Sequence, residues 1–226
     1  MSRLDLRKMA DSFFKKYRLS DDKVGHSKAV AECAWRIATR MKDAGLKVDK
    51  DAAYAGALLH DIGIVKSPNK TEADEEENPW PEHAVDGAID ALKAGFPESV
   101  AAGIQNHEGG MGFNKTEMKE LKLPPPAVGE TWESDLPEAK IAAFADQLVY
   151  MVRHMNSDPW KDRDLIVRAN LSYLNTLYKK RTGKGISKNH PILKRLIKLQ
   201  DEMLQYAKPE DVPPAWKGIS ILKPTD

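Results

Sequence analysis

The spacing of apolar residues is the feature that most restricts the fold of this chain. Through most of its length, apolar side chains recur every three or four residues, which places them on one face of a helix. In the second predicted helix the inward face carries Val30, Cys33, Ile37 and Met41. No segment shows the alternation of apolar and polar residues that a half-buried strand requires. The sequence therefore predicts an all-α protein.

Helix start and stop signals bound the predicted segments. Asp21 and Asp22 can cap the second helix, and Gly45 ends it. Asp49 or Asp51 begins the third helix, which is rich in small residues and therefore suits the centre of a bundle. The predicted helices cover residues 4–17, 21–44, 49–61, 82–94, 97–106, 138–155, 161–180 and 191–206.

Two long connections interrupt the predicted bundle. Residues 67–81 are polar and acidic, and residues 109–137 are rich in glycine and proline; loops of this length are uncommon unless they are functional or disordered. A proline-rich tail from Pro209 is expected to follow the surface. With 226 residues, the chain suits one domain over residues 1–226. Its core is expected at about residues 22–156, between an N-terminal helix and a C-terminal helical extension.

Charge and composition exclude several classes of function. Lys+Arg 35 and Asp+Glu 34 give a net charge of +1, so no global field attracts a nucleic-acid polymer. No apolar run approaches the roughly 20 residues of a bilayer-spanning helix, and the first residues lack the apolar centre of a signal peptide. Cys33 is the only cysteine, which excludes an intrachain disulfide and a cysteine-based zinc site. We therefore expect a cytoplasmic protein with no membrane partner, and the sequence leaves its oligomeric state undefined.

Histidine and aspartate residues recur at the ends or inner faces of the predicted helices. Apart from one adjacent pair, they are separated by about one helix and one loop, so successive helices can bring them to one point. They are His26, His60, Asp61, His83, His107 and Asp146. Imidazole and carboxylate groups together suit Mn, Fe, Co, Ni or Zn rather than Ca. The spacing therefore predicts a metal site.

Two of these residues give further reasons to expect cations. Asp146 lies in an alanine-rich helical stretch, where a buried unpaired carboxylate would cost several kcal/mol, so a cation is the simplest explanation. Side chains at adjacent helical positions diverge by about 100°. Asp61 can therefore share a site with His60 while its second oxygen reaches another ion. Two such ions would clamp the attacking and leaving oxygens of a phosphoester displacement.

Short motifs around these residues resemble the HD superfamily of metal-dependent phosphohydrolases. They are Gly25-His26-Ser27, Leu58-Leu59-His60-Asp61-Ile62-Gly63 (the HDIG variant) and Ala145-Asp146. The resemblance implies an HD-domain helical bundle with long connecting loops. It also implies that His26, His60, Asp61 and Asp146 hold a first metal ion. His83 and His107, with Asp61 as a bridge, would hold a second.

The resemblance to individual branches of the superfamily is partial. The segments around His83 and His107-Glu108 look like a distant version of the HD-GYP cyclic-dinucleotide phosphodiesterases. However, Ile64 stands directly after the HDIG motif, where that family has a lysine, and Lys66 comes two positions later. The helical layout is also similar to that of the HD-type symmetrical dinucleoside tetraphosphate hydrolases. The resemblance therefore implies phosphoester chemistry without a particular substrate.

The function implied is hydrolysis of a nucleotide or related phosphoester by metal-activated water at a dinuclear site. The cofactors would be two divalent transition-metal ions per chain, Fe or Mn first, with Zn, Ni and Co as alternatives. The partner would be a small phosphorylated molecule. We assign catalysis to Asp61 and expect Lys66 and Arg153 to bind substrate phosphate. Glu108 could accept a proton or orient His107 from outside the ligand set.

Two other functions are consistent with the same residues. The set also resembles that of the mixed-valent diiron oxygenases of the HD superfamily, which cleave C–C or C–P bonds with O₂ and need iron in both sites. A non-catalytic binding or regulatory module could keep the ions as a structural centre, although a degenerate domain would be expected to lose ligands. Oxygen consumption would identify the first function, and loss of the fold on chelation would identify the second.

Overall fold

The chain folds into a bundle of α-helices. The computed structural model describes residues 3–68, 80–153, 157–162 and 164–212, with the backbone alone at residues 3–5 and 153. Within these ranges there are nine α-helices, three short 3₁₀ helices and no β-strand, which confirms the predicted all-α class. None of the helices described combines the length and the apolar surface that a membrane crossing needs.

The helices are numbered here in chain order. They are α1 (Arg3–Phe14), α2 (Asp21–Asp43), α3 (Lys50–Leu59), α4 (Glu82–Lys93), α5 (Glu98–Asn106), α6 (Lys115–Glu120), α7 (Pro137–Arg153), α8 (Leu165–Thr182) and α9 (Pro191–Leu204). The 3₁₀ helices are Ile62–Lys66, Glu108–Gly110 and Pro209–Asp211. Every α-helix except α6 corresponds to a predicted segment, although α8 begins four residues later than predicted.

Side chains at the helix starts define where α2 and α3 begin. Ser20 caps α2 by accepting a hydrogen bond from the Lys23 N–H at 3.4 Å. The prediction that Asp21 or Asp22 caps this helix is therefore wrong by one residue. Both acids lie in the first turn, where they complement the positive end of the helix dipole. The Asp49 side chain caps α3 by accepting from the N–H groups of Asp51 and Ala52. Asp49 is one of the two predicted starts of this helix.

Helix α3 lies at the centre of the bundle. Every residue from Asp51 to Leu59 is buried, and α3 packs against α1, α2, α5 and α7. Gly56 of α3 faces Gly103 of α5 so closely that a Cβ on Gly56 would lie 3.2 Å from Gly103 Cα. Small residues therefore allow these helices to approach closely, because the distance between packed helices depends on the side chains at the contact.

The stretch 109–137 contains a helix that the sequence analysis missed. Asn114 caps α6 by accepting from the Glu117 N–H at 3.0 Å, and the Glu117 carboxylate accepts from the Asn114 N–H at 3.0 Å. Further along, Trp132 is fully buried, and its indole N–H donates to the Pro124 carbonyl at 3.1 Å. The loop prediction is wrong over α6 because a capping box starts a helix even between turn-forming residues.

The C-terminal part packs back onto α2. Arg40 of α2 donates to both carboxylate oxygens of Asp211 at 2.5 Å, and Asp211 is fully buried. The chain thus packs against α2 as far as residue 212. The rest of the tail (213–226) and residues 69–79 of the first long loop lie outside the described residues, so a tail along the surface stays a prediction. Buried apolar residues from Leu6 to Val212 form one cluster. The division into a core and two flanking extensions stays a prediction.

Candidate metal centre

Four histidines and two aspartates converge at the point where five helices meet. Two of the six directly follow the last residue of a helix, one comes a residue later, two lie in the first two turns of a helix, and one lies further along a helix. In chain order they are His26 on α2, His60 and Asp61 after α3, His83 on α4, His107 after α5 and Asp146 on α7. The structure therefore brings together all six side chains that the sequence analysis proposed as ligands, and their role as ligands stays a prediction.

The first group of these residues, called site A, consists of His26, His60, Asp61 and Asp146. His26 Nε2 lies 2.9 Å from Asp146 Oδ1. His60 Nε2 lies 3.7 Å from the same oxygen and 3.4 Å from Asp61 Oδ2. Site A thus presents two imidazole nitrogens and two carboxylate oxygens to one region.

The second group, called site B, consists of Asp61, His83 and His107. The Nε2 atoms of the two histidines are 3.2 Å apart. They lie 3.7 Å and 3.8 Å from Asp61 Oδ1. Asp61 therefore directs Oδ2 towards site A and Oδ1 towards site B, which is the position that a bridging carboxylate needs.

Backbone carbonyls orient three of the histidine rings. Nδ1 of His60, His83 and His107 lies 2.7, 2.8 and 2.5 Å from the carbonyl oxygen three residues earlier. A carbonyl can only accept, so each Nδ1 carries a proton, and a ring that is neutral or binds a metal ion presents an unprotonated Nε2. Metal-binding histidines use this arrangement, because the bond from the other nitrogen fixes the direction of the ring.

The facing nitrogens of site B show that the residues fit a cation. His83 Nε2 and His107 Nε2 are both acceptors when the rings are neutral, so they repel unless positive charge joins them. Burial, together with the charges of His60 and His83, lowers the pKa of His107 to about 3, which disfavours a proton there. Ligand atoms about 2.1 Å from a common ion lie about 3.0–3.4 Å apart, close to the separations in both sites. The donor set therefore fits divalent transition-metal ions.

Opposite charges determine how the centre titrates. Burial alone would raise the pKa of Asp61, but the charges of His60 and Lys23 outweigh it and hold this pKa well below its usual value. Burial likewise opposes ionisation of Asp146, yet the hydrogen bond with His26 and the charge of His60 lower its pKa to about 2. For His60, burial is outweighed by Asp61 and Asp146, which raise the pKa to about 9. Metal binding would therefore displace a proton from His60.

Lys23 is a residue of the centre that the sequence analysis missed. Its Nζ lies 3.1 Å from Asp61 Oδ2, and 24% of its side chain is exposed, compared with 8% for Asp61. Lys23 precedes His26 by three residues, so the two side chains lie on one face of α2. That spacing is the signal that could have identified it.

The sequence analysis gave possible catalytic roles to three further residues. Lys66 ends the 3₁₀ helix after Asp61, and its Nζ lies 2.8 Å from Asp90 Oδ2. Arg153 is the last residue of α7, and its side chain lies outside the described part of the chain. The phosphate contacts of both residues stay predictions. Glu108 is buried, and its Oε2 lies 3.5 Å from His83 Nε2.

Comparison with known proteins assigns the family. The model of the HD domain family matches residues 24–151, which is more than half of the chain. The chain therefore belongs to the HD domain family, as the motifs predicted. No solved structure matches the chain.

Three related proteins are similar to parts of this chain. The uncharacterized protein MJ0778 of Methanocaldococcus jannaschii is 34% identical over 187 residues, which cover 81% of this chain and 89% of the relative. Proteins of Picrophilus torridus and Thermoplasma volcanium, both named tRNA (cytidine(56)-2'-O)-methyltransferase, are 31% and 32% identical over 132 and 133 residues. These matches cover 58% and 59% of this chain but 34% and 33% of the methyltransferases. The matched region thus spans about a third of their length.

Proposed function

We propose that this protein is a metal-dependent phosphohydrolase that hydrolyses a nucleotide or related small phosphoester at a dinuclear centre. The observation that carries the proposal is the position of Asp61, whose two oxygens face two separate groups of imidazoles. A carboxylate shared between two cation sites can hold two ions close together, as in-line displacement by a two-metal mechanism requires. The HD domain supports the assignment. A small phosphorylated partner and a cytoplasmic location belong to the proposal and rest on the sequence.

The residues of the chain prepare the centre for this reaction. Bound divalent ions would supply Lewis acidity. They would also lower the pKa of a bound water molecule to about 7, so that it could lose a proton at neutral pH. The carbonyl oxygens three residues before His60, His83 and His107 keep the Nε2 atoms directed inward. His26 and Asp146 have 13% and 14% of their side chains exposed, whereas His60 has 1%. We therefore assign the side of His26 and Asp146 as the one from which a phosphorylated substrate enters.

Lys23 provides a fixed positive charge on the accessible part of the centre. Its ammonium group lies beside the bridging Asp61 and is more exposed than that carboxylate. A substrate phosphate that approaches Asp61 would meet this ammonium group. Pre-positioned charge of this kind stabilises the negative charge on phosphoryl oxygens in the transition state.

We expect Lys23→Gln to raise the KM for a phosphorylated substrate by about 10-fold or more, which matches the loss of one charge-assisted hydrogen bond. The ion content should remain that of the wild type. Lys66→Gln tests the earlier prediction for that lysine, and Lys140→Gln is the matched control, because Lys140 lies near Asp135 and Glu202 instead. Steady-state kinetics with elemental analysis measures all three. A larger rise in KM for Lys66→Gln than for Lys23→Gln would assign the phosphate contact to Lys66.

Turnover on a panel of substrates tests the reaction itself. Protein loaded with Mn²⁺ or Fe²⁺ should cleave at least one mononucleotide, dinucleotide or simple phosphoester at equal rates with and without O₂. Transfer RNA belongs in the panel because two relatives are named as tRNA methyltransferases. Chelator-treated protein is the control and should be inactive until ions are restored. Oxygen consumption with an organic substrate and no phosphoester cleavage would contradict the hydrolase and favour the diiron oxygenase.

A further inference from the structure

We infer that Glu108 is a ligand of the second metal ion and completes site B with a carboxylate of its own. The inference rests on the proposed function in one respect, because both require two ions in the same centre. It differs from the roles considered from the sequence, in which Glu108 accepts a proton or orients His107 without binding an ion.

The position of Glu108 relative to His83 is the first support. Glu108 directly follows His107 and is 5% exposed. Its Oε2 lies 3.5 Å from His83 Nε2. From the same nitrogen, His107 Nε2 is 3.2 Å away and Asp61 Oδ1 is 3.7 Å away. Glu108 is therefore as close to His83 as the other members of site B are.

The chemistry of these atoms is the second support. His83 and His107 present Nε2 as an acceptor, because their Nδ1 atoms donate to backbone carbonyls. The carboxylates of Asp61 and Glu108, when ionised, can also only accept. Buried acceptors grouped in this way are unfavourable without positive charge among them. A divalent ion beside His83 Nε2 would supply that charge.

Comparison of the two sites is the third support. Site A contains two imidazoles, a carboxylate of its own from Asp146 and one oxygen of Asp61. With Glu108, site B contains two imidazoles, a carboxylate of its own and the other oxygen of Asp61. The negative charges of three carboxylates then nearly balance the positive charges of two divalent ions. The small positive excess that remains suits an anionic phosphate.

The backbone after Glu108 is arranged to hold its carboxylate in place. Gly109 and Gly110 have φ values of 63° and 86°, a conformation that other residues adopt at a cost. A Cβ on Gly110 would lie 2.8 Å from a Leu196 methyl carbon and 2.9 Å from Asn170 Oδ1, so the turn is enclosed by packing. Glu108 Oε1 accepts from the Gly109 N–H at 3.2 Å. One oxygen is thus held by the turn while the other faces site B.

Ion binding by Glu108→Gln tests the inference without any measurement of activity. Glutamine keeps the size of the side chain and an oxygen for the Gly109 N–H, but it removes the charge. With Co²⁺ alone as the probe, the wild type should bind two ions per chain. The variant should bind the first ion with unchanged affinity and the second at least about 10-fold more weakly. Calorimetric titration gives both affinities, and the Co²⁺ absorption spectrum reports the change in ligands.

Two further variants keep the test decisive. Glu108→Asp retains a carboxylate on a shorter side chain, so its second-ion affinity should lie between those of the wild type and Glu108→Gln. This variant also replaces Glu108→Gln if the latter does not fold. Glu138→Gln is the matched control: Glu138 is also buried, but it accepts from the Asp49 N–H at 2.6 Å, away from both sites. It should bind two ions with wild-type affinities.

The outcomes separate this inference from the proposed function. Wild-type second-ion affinity in both Glu108 variants, or a wild-type protein that binds a single ion, would overturn the inference. A wild-type protein that binds two ions through Glu108 but cleaves no phosphoester would leave the inference in place and contradict the proposed function instead.

Discussion

Asp61→Asn should lower turnover by about 1000-fold or more and deplete both metal ions from the purified protein. The reason is that Asp61 presents one oxygen to site A and the other to site B, so a single substitution removes charge from both. His60→Ala should likewise abolish turnover, because it removes one of the two imidazoles of site A. Turnover of the loaded protein and elemental analysis after dialysis measure the two effects.

Asp51→Asn is the matched control for this experiment. Asp51 is a buried aspartate in the first turn of α3, with 7% exposure, and it belongs to neither site. Circular dichroism should show that both variants retain most of their helix content. Retained turnover in Asp61→Asn and His60→Ala would disprove the assigned centre. Loss of the fold together with the ions would favour a structural metal centre instead of a catalytic one.

Gly63→Ala should lower the free energy of unfolding by about 3 kcal/mol, the upper part of the usual cost of overpacking. A Cβ on Gly63 would overlap the carbonyl oxygen of His83 and would lie 2.7 Å from Gly87 N. Both are backbone atoms of α4, so no side chain can move aside to make room. The 3₁₀ helix after Asp61 and α4 must separate, which also weakens ion binding because His83 moves away from Asp61.

Chemical denaturation of Gly63→Ala beside Gly45→Ala measures this effect. A Cβ on Gly45 would meet nothing within 4 Å, but its φ is +87°. Gly45→Ala therefore reports the cost of a left-handed conformation alone, about 1 kcal/mol. Equal stability of the two variants would contradict the close contact between Gly63 and α4.

The helices and the central place of α3 could be predicted because they depend on local patterns. Periodicity places the helices, and the cap at Asp49 and the small residues of α3 act within a few residues. Helix α6 could not be predicted in the same way. Its capping box between Asn114 and Glu117 is a local signal, but the surrounding glycines and prolines indicated a loop.

The convergence of the six residues predicted as ligands could be predicted from the sequence. Their spacing of about one helix and one loop places each of them near the same end of the bundle. The contacts of other residues depend on the packing of distant segments, which no spacing shows. Lys66 illustrates this, since its bond to Asp90 of α4 depends on how the 3₁₀ helix packs there. The motif also gives no reason for Gly63, whereas the structure explains it by the contact with the α4 backbone.

The contact between Gly56 and Gly103 has a consequence for how this centre tolerates change. Each glycine precedes a histidine of the centre by four residues, about one helical turn. The rings of those histidines, His60 and His107, have centroids 4.9 Å apart. Their separation is therefore set by two backbones in contact rather than by bulky side chains. Over evolution, or in protein engineering, the outer helices and loops can be exchanged for new specificities while this spacing persists, as long as both glycines are kept.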